Sequence, residues 1–163
     1  MRRCIYAGSF DPPTNGHLWM IKQGSKLFDQ LIIAVGTNPE KKYLFTIEER
    51  IEMLKEITKD LSNIIVTHFE GKFLVDFARE VNANYILRGI RNIEDYRYEK
   101  VLRNINADLA PEIVTVFLMP PRELAEVSSS IVKSLIGFKR WEDVVEKYVP
   151  KPVLKKLVEK FYK

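Results

Sequence analysis

The chain is poor in the residues that most often announce chemistry. It has one cysteine, Cys4, and two histidines, His17 and His68, in 163 residues. A single cysteine excludes an internal disulfide and fits a reducing cytoplasm. So few cysteines and histidines leave no Cys/His metal cluster to find. Long apolar runs are also missing. The longest, Ile113 to Met119, is interrupted by Thr115 and falls far short of the ~20 residues of a membrane helix. Met1 to Tyr6 carries no extended apolar core, so no signal peptide is expected and a cytoplasmic location is. Repeats, low-complexity stretches and linkers are absent, which predicts one domain over 1–163. A chain of that length buries about 70% of its unfolded surface.

No strong charge of one sign is present either. The net charge is +4 and the pI about 9.1. Much of the excess is C-terminal, in Lys151, Lys155, Lys156, Lys160 and Lys163, where a solvated helix face accounts for it. No aromatic-basic stacking motif accompanies it, so neither nucleic acid nor membrane is expected as a partner.

What the chain does have is alternation. Short apolar, β-branched runs fall at Cys4–Ala7, Leu31–Val35, Ile64–Phe69, Tyr85–Leu87 and Ile113–Leu118. Helical stripes separate them. Leu18, Met20, Ile21, Gly24, Leu27 and Phe28 form the first, and Ile47, Ile51, Leu54 and Ile57 the second. Phe73, Leu74, Phe77 and Ala78 form the third, and a long polar segment from Ile93 to Ala110 the fourth. Thr46 and Glu49 match a capping box at the start of the second helix. Helices are further predicted after Val127, over Trp141–Tyr148 and over Val153–Tyr162. Five strand–helix alternations predict an α/β fold: a Rossmann-like, five-stranded parallel sheet with helices on both faces and C-terminal helices.

In such sheets ligands bind beyond the carboxyl ends of the strands. Cations and hydroxyls recur there. Ser9 and His17 follow the first strand, Lys41 and Lys42 the second, Arg88 and Arg91 the fourth, and Ser128 to Ser130 the fifth. The stretch Gly8 to His17 reads as a strand-to-helix turn in which Thr14 or Asn15 caps the helix. Gly8 there either takes a positive φ or lets a ligand approach. A helix N-terminus suits a phosphate, and His17 in its first turn can donate to the same anion. Arg88 abuts a buried strand and needs an anion or a partner. Lys41 and Lys42 read equally well as solvated loop residues, and the three serines as an N-cap. Asp11 fits an Asx turn better than a metal or His17, and His68, inside a strand, is expected to be structural. No carboxylate pair or Ser-His-Asp spacing competes with this set.

At Gly8-Ser9-Phe10-Asp11-Pro12 with Thr14-Asn15-Gly16-His17 the chain resembles the nucleotidyltransferase superfamily, whose signature at this turn is T/HxGH. Further stretches narrow the resemblance to the bacterial phosphopantetheine adenylyltransferase family. They are Pro39 to Lys42, Phe45 to Arg50, Ile86 to Arg91, Asp95 to Glu99, Phe117 to Pro120 and Val127 to Val132. The resemblance implies transfer of the adenylyl group of ATP to 4'-phosphopantetheine, giving dephospho-coenzyme A and pyrophosphate. It implies His17 as transition-state stabiliser. It places ATP at Ser9, Phe10, His17, Gly89, Ile90, Arg91, Glu99, Leu124, Ala125, Glu126, Val127, Ser128, Ser129 and Ser130. It places phosphopantetheine at Ser9, Lys41, Leu74 and Arg88. It also implies magnesium, held through ATP without a protein ligand set, a homohexamer, and coenzyme A as a feedback ligand. The chain departs from the family at Ser9, where threonine is frequent, at Ala7, where proline is, and at Leu124-Ala125-Glu126, where an aromatic is expected.

The chemistry these residues suit is an in-line attack on the α-phosphorus. The attacking phosphate is already ionised near neutral pH, so no general base or covalent intermediate is needed. Three alternatives stand beside it: another acceptor such as nicotinamide mononucleotide, a flavin or an alcohol phosphate; a non-enzymatic nucleotide-binding regulator; and a nucleic-acid module.

Overall fold

The computed structural model describes residues 1–162, so Lys163 of the basic tail lies outside the described residues. The strands are β1 (Arg3–Gly8), β2 (Gln30–Gly36), β3 (Ile64–Phe69), β4 (Tyr85–Gly89) and β5 (Val114–Leu118). Between them run α1 (Asn15–Leu27), α2 (Ile47–Ile57), α3 (Leu74–Glu80) and α4 (Ile93–Leu109). α5 (Ser129–Leu135), α6 (Trp141–Val145) and α7 (Lys151–Phe161) complete the chain. All strand pairs are parallel, in the order β3-β2-β1-β4-β5. The chain winds outward from β1 to β3, then restarts at β4 on the other side of β1. The ends of β1 and β4 therefore diverge, which is where a doubly wound sheet opens a crevice.

Period-2 alternation divides the core between the two faces of the sheet. Cys4, Tyr6, Leu31, Ile33, Val35 and Leu87 pack with α1 and α2. Ile5, Ala7, Ile32, Ala34 and Ile86 pack with α3 and the end of α4. A third cluster, Phe45, Met53, Val132, Trp141, Val145, Val153 and Leu157, joins α2 to the three C-terminal helices. No helix among the described residues is long and apolar enough to cross a membrane.

The expected strands and helices are all present, with instructive shifts. β4 runs two residues further than its apolar run, because Arg88 and Gly89 pair with Phe117 and Leu118 of β5. Arg88 is thus a strand residue. On α3 Phe77 and Ala78 are buried as expected and Val75 joins them, while Phe73 precedes the helix and is exposed. On α2 the most deeply buried side chains are Arg50, Met53 and Leu54, a face rotated from the isoleucine stripe. The capping box of Thr46 and Glu49 forms with both hydrogen bonds. α7 starts at Lys151, with Pro152 in the first turn, where its missing N–H leaves no gap. α6 ends at Val145, short of Tyr148.

α1 lies on the sheet across β1, between Leu31 of β2 and Leu87 of β4. A Cβ on Gly24 would come within 2.9 Å of a methyl carbon of each. Glycine there sets how closely α1, and the turn before it, sits on the sheet. Gly24→Val is expected to lower stability by about 2 kcal/mol through overpacking against two sealed leucines. Thermal or urea denaturation checks this, and an unchanged midpoint would show that the helix has room to spare.

Candidate active site

β1 delivers the chain into the turn Ser9–Pro13, and several distant segments hold that turn and the start of α1. Asp11, almost fully buried, accepts hydrogen bonds from Leu44 N and Phe45 N at 2.8 and 2.9 Å and faces Lys133 at 3.4 Å. This is a structural role, though not the Asx turn expected, because the donors lie 33 and 34 residues along the chain. Arg50, sealed under Tyr43, donates to Ser9 O at 2.9 Å. Asn15 N donates to Tyr148 O and Asn15 Nδ2 to Lys147 O, so the C-terminal segment holds the start of α1. Gly8 stays extended, and the positive φ falls on Phe10, at 50°. What comes close to Gly8 is the protein's own Phe10 ring, which a Cβ would meet at 3.2 Å.

Thr14 is the N-cap of α1, and His17 is its third residue. Thr14 N–H donates to His17 Nδ1 at 3.0 Å, and His17 N–H donates to Thr14 Oγ1 at 3.3 Å. This is a capping box with an imidazole in the place of the usual carboxylate or amide. Because Nδ1 accepts, the proton of the neutral ring sits on Nε2, the nitrogen turned away from the cap. The Phe10 ring backs the imidazole edge-on at 5.0 Å. Desolvation in the cleft, reinforced by the Arg91 cation, lowers the His17 pKa from 6.5 to about 4. His17 is therefore a neutral Nε2–H donor at physiological pH.

The cleft holding His17 has a volume of about 270 Å³ and lies at the divergence of β1 and β4. One wall is Gly16, His17 and Met20 of α1; the opposite wall is Arg88, Gly89, Arg91, Asp95 and Glu99. Tyr6 to Gly8 form its floor, with Pro120, Leu124 and Val127 to Ser129 along the side. Both arginines are pinned. Arg88 grips Glu99 through Nε and Nη2 at 2.8 and 2.5 Å and donates Nη1 to Ala7 O. Arg91 grips Asp95 through Nε and Nη2 at 2.8 and 3.1 Å and donates Nη1 to Val127 O. Asp95 and Glu99 are one turn apart on α4, so one helix face supplies both counter-charges. Ser128 caps α5 by accepting from Ile131 N, and Ser129 Oγ donates to Pro12 O at 2.8 Å. The serine reading as a cap is thus realised at Ser128, while Ser129 ties α5 to the first turn.

Nine of the expected residues gather here: His17, Arg88, Gly89, Arg91, Glu99, Leu124, Val127, Ser128 and Ser129. Others stand nearby without lining the cleft. Phe10 is buried behind His17, Ser9 offers its carbonyl to Arg50, and Ile90 N donates to Leu118 O. Ala125, Glu126 and Ser130 are on the same loop and helix start but are not among the lining residues. Lys41 and Lys42 are exposed, and Lys41 borders a separate hollow of about 470 Å³ beside Tyr43 and Arg50. Leu74 packs on the α3 side of the sheet. His68 is an exposed residue of edge strand β3. Among the described residues no three His, Cys, Asp or Glu side chains converge as metal ligands.

Sequence reasoning missed Tyr6, Met20 and Pro120, which carry no local signal, and the role of Asp95. The last was readable as an Arg–Asp pair at i,i+4.

By class this is a nucleotidyltransferase site on a Rossmann-like sheet. The model of the cytidylyltransferase-like family matches residues 5–135. The fold resembles that of Plasmodium falciparum nicotinic acid mononucleotide adenylyltransferase, solved with NaAD. The TM-score is 0.69 at 18% identity, covering 97% of this chain and 95% of that one. Sequence likeness is much closer elsewhere. The phosphopantetheine adenylyltransferase of Chromobacterium violaceum is 54% identical over 161 residues, 99% of this chain and 98% of that protein. That of Neisseria meningitidis serogroup C is 56% identical over 157 residues, covering 96% and 92%. That of Caldanaerobacter subterraneus subsp. tengcongensis is 46% identical over 163 residues, covering 100% and 99%. The chain belongs to the phosphopantetheine adenylyltransferase family.

The His17 assignment is open to direct measurement, since the chain has only two histidines. In the free protein, 15N-resolved NMR is expected to show His17 as the Nε2–H tautomer with a titration midpoint near 4. A folded pKa below the ordinary 6.5 means that the unfolded chain binds the proton first. His17 therefore contributes stability that is complete above about pH 6.5 and is lost as pH falls through about 4. A midpoint at or above 6.5 would remove the neutral-donor description.

Proposed function

We propose that this cleft carries adenylyl transfer from ATP to 4'-phosphopantetheine by direct in-line attack, with His17 stabilising the transition state. The products are dephospho-coenzyme A and pyrophosphate. The observation that carries the mechanism is the Thr14–His17 cap, which leaves a neutral imidazole presenting a fixed Nε2–H to a cleft at a helix N-terminus. Such a group is suited to donating to oxygens that gain charge. A proton-accepting role would need Nδ1, and Nδ1 is occupied.

The reaction asks little else of the protein. A phosphate monoester has its second pKa near ~6, so the acceptor arrives as a nucleophile without a base to activate it. Its oxygen attacks the α-phosphorus, the bond to the pyrophosphate breaks, and negative charge grows on the equatorial and leaving oxygens. His17 Nε2–H and the open first turn of α1 at Gly16 face that charge. Arg88 and Arg91 add fixed positive charge whose orientation Glu99 and Asp95 already set. Preorganised donors need no rearrangement as the charge develops, which is why they favour the transition state over the ground state.

We further take magnesium to enter on the triphosphate, because the cleft carboxylates Asp95 and Glu99 are committed to arginines. Bound there, it would offset negative charge on the nucleotide. Lys41 and Leu74 lie beyond the cleft, and on this reading they meet the phosphopantetheine arm where it leaves the phosphate behind. Ser9, Ile90, Ala125, Glu126 and Ser130 would contact the substrates through main-chain groups or after the loops close. A cytoplasmic homohexamer and feedback by coenzyme A belong to the same reading. Tyr98, Val101, Ile105 and Leu109 form an exposed apolar stripe on α4, which supports burial against further copies.

Incubation with ATP, magnesium and 4'-phosphopantetheine is expected to yield dephospho-coenzyme A, detected by mass spectrometry. Absence of that product, with pyrophosphate released on nicotinamide mononucleotide or an alcohol phosphate instead, would overturn the acceptor. His17→Ala is expected to lower kcat by ~10²–10³, the cost of one such donor. Near-normal turnover in that variant would take His17 out of the mechanism.

A further inference from the structure

Tyr6 lines the cleft floor, yet no step above uses its hydroxyl. We propose that Tyr6 is a further substrate contact, its O–H donating to an oxygen of the bound nucleoside triphosphate; this rests on the adenylyl-transfer reading.

The residue is 7% exposed. Its ring meets Phe10 edge-on at 5.5 Å and stands 6.5 Å from the His17 ring. A buried tyrosine hydroxyl almost always has a partner. Among the described residues this one has none. The sealed, unpartnered side-chain polar atoms are Arg3 Nε and Gln30 Oε1, and the Tyr6 hydroxyl is not one of them. An unpartnered hydroxyl that is not sealed must open onto the space that its residue lines, and for Tyr6 that space is the cleft.

The surroundings decide what it can bind. Arg88 is engaged with Glu99 and Ala7 O, and Arg91 with Asp95 and Val127 O. Glu99 in turn gives both oxygens to Arg88. Neighbouring donors and acceptors are thus matched to one another, and Tyr6 is left over. Burial pushes its phenol above the ordinary value of 10, so it stays protonated and able to donate. A neutral donor beside His17 fits an oxygen-rich anion held between α1 and β4. Nothing in the turn sequence announces this, because Tyr6 reads as one more apolar position of β1.

Tyr6→Phe keeps the ring and its packing and removes only the hydroxyl. Calorimetric titration of wild type and variant with magnesium-ATP, and separately with 4'-phosphopantetheine, tests the assignment beside thermal melts of both proteins. The expected result is a ~5–10-fold weaker ATP affinity, the loss of one neutral hydrogen bond, with acceptor affinity and melting temperature unchanged. Equal ATP affinity in the two proteins would overturn the proposal. So would a loss confined to 4'-phosphopantetheine, or equal losses for both ligands with a lowered melting temperature, which would mark a packing role. Failure of the wild type to bind ATP would overturn both this contact and the reading beneath it, and the wild-type titration reveals that case first.

Discussion

Everything at this site depends on the reciprocal hydrogen bonds between Thr14 and His17. The same pair closes the first turn of α1 and sets the chemistry of the imidazole. An ordinary capping box would place a glutamate there and leave a carboxylate at the helix start, facing the cleft. Histidine satisfies the same Thr14 N–H through Nδ1 while keeping a donor on its far nitrogen. Backbone satisfaction and the donor state of the imidazole are therefore one interaction, and the Phe10 ring behind the imidazole keeps the geometry from relaxing.

The turn must then be held at the right height above the sheet, and separate parts of the chain contribute. Gly24 lets α1 settle onto Leu31 and Leu87. Asp11 ties the turn to the β2–α2 loop, Arg50 reaches up from α2, and Asn15 is anchored to the segment after α6. A buried arginine with carbonyl acceptors and an aromatic face, as at Arg50, is a costly device for packing alone. Its effect is to fix the carbonyl of Ser9, one residue from Gly8 and Phe10.

Across the cleft, α4 looks like a surface helix, with Glu99 its one buried residue among those described. That burial is the point. Asp95 and Glu99 pair with Arg91 and Arg88 and set their direction, so the free cleft contains oriented, paired charges and a neutral histidine. Breaking such a pair by removing one partner leaves a desolvated charge, whereas keeping it yields donors whose direction is set before any ligand arrives. On the proposed reading, selectivity for a phosphate ligand then comes from geometry more than from net positive potential, which agrees with a chain whose overall charge excess is small.

The sequence by itself determined the order of elements, the parallel sheet and the place of the functional turn, because each rests on local rules. Hydrophobic period, the Thr46 cap, the cap at Thr14 or Asn15 and short β-branched runs are all visible within a few residues of each other. Tertiary structure alone decided who partners whom. Arg88 could have been read as free for an anion, and it is a strand residue held by Glu99, eleven positions on. Tyr6 and Met20 looked like core, and the divergence of β1 from β4 placed both on the lining of the cleft. Asp11 already read as structural, and its partners, the backbone of Leu44 and Phe45, are supplied by the fold. Contacts of this kind depend on strand order, and strand order is a long-range property that no short window of residues contains.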